Sequence, residues 1–187
     1  VQNAAAVRVI SQLLLEAPQS GCRRTLKIPK GEFFPGFETK YWKDAQVSVC
    51  IDGLVPPCTV FSFGINNEWT FDDALVRYGC RVFSFDPGMG VGSHSRAAGH
   101  RFEPLGIGVQ NGTFRAESEG ARSTLYDPAQ TPSFEQLSLG GFMERFNEGR
   151  RVDLVRMDVE GTEWRVLQQW LDRGWLPRQL LMEAHMK

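Results

Sequence analysis

Gly64, Asp86, Asp158 and His185 are the residues through which this 187-residue chain could do chemistry. The apolar run Cys58-Thr59-Val60-Phe61-Ser62-Phe63 stops at Gly64, a short polar loop follows, and Thr70 opens a helical pattern. A second apolar run over 80–85 ends in Asp86, which is 86 − 64 = 22 positions beyond the glycine. A strand, a turn with glycine, a helix and a strand ending in an acid make the unit that parallel α/β folds use to hold a nucleoside-bearing cofactor. There the glycine admits close approach of the backbone, and the acid accepts hydrogen bonds from ribose hydroxyls.

Four strand-like runs end in polar or glycine-bearing segments. These are Gly64–Glu68, Asp86-Pro87-Gly88, Asp158-Val159-Glu160-Gly161 and Glu183-Ala184-His185. Taken singly, a glycine after a strand is a turn and an acid there is a helix cap. Together they describe one ligand-binding sheet edge. A dinucleotide site wants Gly-x-Gly-x-x-Gly against a pyrophosphate. Here Asn66 and Trp69 stand where the second and third glycines would, so a cofactor without phosphates fits better and a nicotinamide-dependent oxidoreductase is disfavoured. His185 follows Glu183 by two positions, so both are expected on one face of the last strand. Asp158 beside His185 would raise the imidazole pKa and suit a base. The pair could instead hold a divalent metal with Glu183 or Glu160, but so few scattered ligands are weak ground, and no metal is assigned. Glu163 reads as an acid favouring a helix start, while His94 and His100 receive no role.

The elements that must position these groups follow from periodicity. Helices are expected over 4–16, 70–78, 133–147 (interrupted near Gly140-Gly141) and 162–173. Strands are expected over 59–63, 81–85, 102–108, 152–157 and 180–185, with Thr70 and Asp73 as a capping box and a hairpin at Asn111-Gly112. Alternating strands and helices imply an α/β, Rossmann-like three-layer sandwich with a mostly parallel central sheet. Residues 1–46 form an N-terminal helix and an aromatic extension packing on a core domain over 47–187. The Gly-rich loop 86–99 is expected to be mobile or shaped by ligand.

Composition excludes some partners. A formal net charge of −1 offers no electrostatic footprint for nucleic acid, and no apolar stretch is long enough to insert in a membrane. The start at Val1 without methionine and the stop after a strand-like run suggest an excised domain. Of four cysteines, Cys50 and Cys58 bracket a turn-rich loop that could bring them together, Cys80 reads as a small core residue, and Cys22 lies in a polar loop. The absence of Cys-x-x-Cys argues against structural zinc. Asn111-Gly112-Thr113 is a glycosylation sequon, although a turn is the preferred reading.

The Ser-Phe-Gly-Ile loop, Trp69-Thr70-Phe71-Asp72-Asp73 and the segment 153–164, with its Asp-Val-Glu-Gly-Thr-Glu, resemble the FkbM-related class I S-adenosylmethionine methyltransferases. The resemblance covers about Val47 to the end and implies a seven-stranded sheet, whose last two strands would lie beyond Lys187. It implies S-adenosylmethionine as cofactor, held by Gly64, Asn66, Glu68, Asp86 and Asp158. Methyl transfer to an oxygen or nitrogen of a small or glycan-like acceptor is the expected reaction, and the strand-end placement of Asp158 and His185 makes them the expected catalytic pair. Asn66, Glu68 and Arg156 depart from the family's usual glycine, shorter acid and lysine. A catalytically silent module that kept the fold is the rival reading. The resemblance also implies the secretory pathway, with which paired cysteines and a sequon are compatible.

Overall fold

The computed structural model describes residues 21–29, 46–115 and 133–185. The expected helix over 4–16, most of the aromatic extension and the segment 116–132 lie outside them. The first two strands, β1 (Thr25–Pro29) and β2 (Gln46–Cys50), pair antiparallel as a separate ribbon. The ribbon thus joins a strand of the expected extension to the domain, and the boundary at 46/47 falls inside β2.

Next come β3 (Cys58–Phe63), helix α1 (Thr70–Tyr78) and β4 (Cys80–Phe85). Aromatic and β-branched residues on both faces of β3 suit a strand buried on both sides. Gly79 terminates α1 in the left-handed region at φ 105°, its N–H returning to the carbonyls of Leu75 and Val76. The expected capping box does not form. Trp69 is the N-cap without a side-chain bond, and Glu68 Oε1 accepts from the Thr70 N–H at 2.8 Å instead.

A 3₁₀ turn (Pro87–Met89) leads to β5 (His94–Ala97) and β6 (His100–Glu103). Short strands β7 (Gly106–Ile107), β8 (Gly112–Arg115) and β9 (Ser133–Leu137) follow. Helix α2 (Leu139–Asn147), β10 (Leu154–Met157), α3 (Glu163–Arg173) and β11 (Gln179–Met182) complete the described chain.

The main sheet has six strands in the order β11-β10-β3-β4-β6-β5, parallel throughout except for β5 against β6. One face buries Phe61, Phe63, Phe83 and Phe85 against Phe142 of α2 and Val166 and Trp170 of α3. The other buries Val60, Val82 and Leu154 against Phe71 and Leu75 of α1 and Ile28 and Val49 of the ribbon. Phe63 stacks on Phe85 at 5.0 Å between centroids, and Phe142 meets Phe85 at 4.5 Å. Such contacts each add about 0.5–1.5 kcal/mol beyond the area they bury.

Several expectations are corrected. The single strand over 102–108 is two strands, β6 and β7, in different sheets. Residues 133–137 form a strand rather than the first turns of a helix, because β9 lies between β7 and β8 and Phe134 stacks on Phe114 across the pair. Helix α2 runs uninterrupted through Gly140 and Gly141. A Cβ at Gly140 would lie 2.8 Å from the Trp175 ring, and one at Gly141 would lie 2.6 Å from Asn111 Oδ1. These glycines serve close packing, not a break. Asn111-Gly112 makes no hairpin, since β7 and β8 both pair with β9. Asn111 Oδ1 accepts from the N–H and hydroxyl of Ser138.

Cys50 and Cys58 do not pair with each other. The bridges are Cys22–Cys50, which ties the ribbon, and Cys58–Cys80. Parallel register sets Cys58 directly opposite Cys80 at the first rung of β3 and β4, so Cys80 is a bridge partner as well as a core residue.

Candidate functional site

The chain runs outward from β3 through β4 to β6, then returns to the other side of β3 for β10 and β11. Strand order therefore reverses between β3 and β10, where parallel α/β sheets open a crevice beyond their carboxyl ends. The ends of β11, β10, β3 and β4 are consecutive neighbours. The four polar segments consequently share one edge.

At the centre of that edge, Gly64 takes φ +72°, and a Cβ there would lie 1.7 Å from the backbone oxygen of Asp158. The glycine is required by the close approach of the β3 and β10 ends, rather than by open space for a ligand. Asn66 and Asn67 follow with φ 43° and 61°. Asparagine tolerates this left-handed region, so the turn survives without the second glycine. Trp69 swings its ring against His94, His100 and Phe102, with the Arg96 guanidinium 4.5 Å from its centroid.

Asp86 accepts from the Asn66 N–H on one carboxylate oxygen and from the Gly88 N–H on the other, both at 2.8 Å. It thereby ties the loop after β3 to the turn after β4. Burial pushes its carboxyl above the ordinary value, and the two amides pull the other way. Glu68 is half-buried, with Oε1 committed to the start of α1.

On the β10 side, Asp158 Oδ1 stands 4.0 Å from His185 Nε2, and Glu160 Oε2 stands 3.6 Å from the same nitrogen. The expected pair is thus brought together, but the hydrogen bond to His185 comes from elsewhere. Glu163, the first residue of α3, is fully buried, and its Oε1 lies 2.8 Å from His185 Nδ1. The same oxygen accepts from the Val159 N–H at 3.0 Å, and Oε2 accepts from the Gly161 N–H at 2.7 Å. Glu163 therefore does more than favour a helix start: it holds the Val159–Gly161 turn and orients the imidazole. That turn is tight, with Glu160 at φ 59°. The backbone oxygen of His185 accepts from Trp164 Nε1 at 2.7 Å, fixing the segment from a second side.

His185 is held above its ordinary pKa. Burial opposes the charge, while the Glu163 hydrogen bond and the Glu160 and Asp158 carboxylates outweigh it. Asp158 is pushed up to about 6 by burial and by the charge of Glu183, against the pull of Arg156 and His185. The regular pairing of β11 ends at Met182, so strand alternation does not govern His185. One further bond, from Glu183 N–H to the Met157 carbonyl, carries the segment to the edge.

Sequence reasoning also missed a cluster of buried polar groups beneath α1. Asp72 is fully buried, and no hydrogen bond closes on either oxygen. Burial pushes its carboxyl up to about 7 against the charge of Arg156. Nearby, the Ser84 hydroxyl lies 2.8 Å from Nε2 of His100, a residue expected in a loop and found buried in β6. Their signal in the sequence was slight: a serine in each of two largely apolar strands, Ser62 and Ser84, which face each other across the pair.

A mixed α/β domain with a mainly parallel sheet and polar strand ends at a strand-order reversal is the class of protein the structure defines. Residues 58–187 match the Methyltransferase FkbM domain, and the chain belongs to that family. It is also similar to the human protein described as probable methyltransferase-like protein 24, with 25% identity over 156 residues. That alignment takes in 74% of this chain and 38% of the relative, so the chain spans well under half the length of the protein it matches. No solved structure matches it significantly.

Proposed function

We propose that the protein is an S-adenosylmethionine-dependent methyltransferase acting on an oxygen or nitrogen of a small or glycan-like acceptor. The observation carrying this reading is the convergence of four polar strand-end segments at the strand-order reversal, in a chain whose family is a methyltransferase domain. The residues fit the cofactor. Asp86 spends one acceptor position of each oxygen on a backbone amide, and a carboxylate has about four, so capacity for two ribose hydroxyls remains. A cofactor without phosphates tolerates Asn66 and Trp69 in the loop. When bound, it supplies a methyl group on a sulfonium sulfur, ready for in-line displacement.

The protein's part is then mainly positioning. Gly64 to Glu68 and Asp86 form the donor side. Asp158 and His185 stand on the acceptor side, where the hydroxyl or amine loses its proton. Two disulfides suit an oxidising compartment, and the secretory pathway is the proposed location.

Calorimetry with S-adenosylmethionine, S-adenosylhomocysteine and NAD tests the reading. The first two should bind and NAD should not. Asp86→Ala deletes charge-assisted bonds worth about 1.5–3 kcal/mol and should weaken binding roughly 10- to 150-fold. Binding of neither sulfur ligand, or unchanged affinity in a folded Asp86→Ala variant, overturns it.

A further inference from the structure

The acceptor side holds one imidazole among four carboxylates, those of Asp158, Glu160, Glu163 and Glu183. One ligand atom from each of Asp158, Glu183 and His185 lies within 4.8 Å of the others. Donors bound to a single ion at about 2.0–2.2 Å lie roughly 3–4 Å apart. The observed spacing therefore needs only small side-chain rotations to close on an ion. These residues come from two adjacent strand ends, β10 and β11, whose pairing is extended by the bond from Glu183 N–H to the Met157 carbonyl. The frame that carries them is set by the sheet.

A second observation concerns which imidazole nitrogen is available. Glu163 is fully buried and already accepts from two backbone amides. Nδ1 of His185 is therefore taken up by Glu163 Oε1, 2.8 Å away. The ring nitrogen left for a ligand is Nε2, which faces Asp158 and Glu160 at 4.0 and 3.6 Å. A buried carboxylate behind Nδ1 with Nε2 turned toward acidic oxygens is the arrangement in which histidine ligates metals.

We propose that Asp158, Glu183 and His185 form a divalent-cation site at the acceptor end of the cleft. The mixed nitrogen and carboxylate donors suit Mn²⁺ or Zn²⁺ better than Ca²⁺ or Mg²⁺. Glu160 Oε2, 3.6 Å from His185 Nε2, borders the site. Three protein ligands leave coordination positions open, as in catalytic rather than structural sites. The catalytic consequence rests on the methyltransferase reading. An acceptor hydroxyl coordinated to the ion is acidified, and its proton leaves to solvent. The substrate class this favours is an acceptor that presents oxygen atoms to a metal.

The test uses the full chain after treatment with a chelator. Titration with MnCl₂, followed by calorimetry and by loss of the free Mn²⁺ electron paramagnetic resonance signal, should show one saturable site. ZnCl₂ should compete for it. Asp158→Asn and His185→Gln keep side-chain size and should each weaken Mn²⁺ binding by at least about tenfold, while Glu148→Gln, remote from the edge, leaves it unchanged. Melting of each variant without metal confirms that it is folded. Absence of saturable binding, or binding that folded Asp158→Asn and His185→Gln retain in full, overturns the proposal. Titrations with S-adenosylmethionine in chelator are read separately. Cofactor binding without metal binding sinks the cation site alone, whereas metal binding without cofactor binding supports the site and sinks the methyltransferase reading.

Discussion

Replacing Gly64 with alanine tests the packing on which the whole strand-end site rests. Two effects are expected, and they can be separated. The first is conformational: φ +72° places an alanine in the left-handed region, at about 1 kcal/mol. The second is steric. The new Cβ would stand 1.7 Å from the Asp158 carbonyl oxygen, where real contacts essentially never fall below 3.0 Å, so one partner must move by at least 3.0 − 1.7 = 1.3 Å. The obstacle is backbone and cannot rotate away. Asp158 N–H is bonded to the Phe63 carbonyl, and the next N–H, that of Val159, is held by Glu163. Overpacking of this kind costs about 1–3 kcal/mol, giving about 2–4 kcal/mol in all. Gly90 supplies the control, because it has φ +66° and nothing within 4 Å of a Cβ. Gly90→Ala should lose only about 1 kcal/mol, a melting shift of roughly 2–4 °C for a chain this long. Gly64→Ala should melt about 4–16 °C below wild type and should lose both cofactor and Mn²⁺ affinity. Guanidinium unfolding and calorimetry on both variants decide the matter. Equal destabilisation by the two substitutions would refute the close-approach argument.

Three further outcomes follow from buried groups and bridges. Asp72 titrates at about 7 in the folded protein against an ordinary 3.8. Between those values the native state binds more protons than the unfolded chain, so unfolding free energy should fall as pH rises from about 4 to about 7. Asp72→Asn should flatten that slope in melts across the same range, and an unchanged slope contradicts the burial argument. All four cysteines are bridged, so mass analysis without reductant should find no free thiol. The Cys58–Cys80 bridge spans a separation of 22 residues, for which loop-closure entropy suggests about 3 kcal/mol. A Cys58→Ala, Cys80→Ala double variant that unfolds within about 0.5 kcal/mol of wild type would show that the bridge adds no stability.

The candidate site was legible where local chemistry suffices. Gly64 after an apolar run and Asp86 after the next need only chain order to suggest a nucleoside site. Asp158 and His185 were singled out by the same rule, applied to the ends of the fourth and last expected strands. Glu163 was visible only as an acid at a helix start. Its contact with His185 joins residues 22 apart in sequence across two elements, and no local pattern encodes that. The cysteine pairing failed for a related reason: Cys50 and Cys58 are near in sequence, but bridge geometry follows strand register.

What the sequence by itself determined, therefore, is the kind of fold and the side of the sheet on which chemistry could occur. Continuous apolar runs and glycine stops are properties of short segments, and they survive whatever the rest of the chain does. Tertiary structure alone decided that β9 is a strand, that α2 passes through two glycines, and that Gly64 yields its space to Asp158. It also decided that one buried carboxylate aims an imidazole at two others. Each of these depends on which segments become neighbours. That choice is made by burial of both sheet faces and by strand register, which bring together residues as far apart as Cys50 and Gln179, separated by 129 positions.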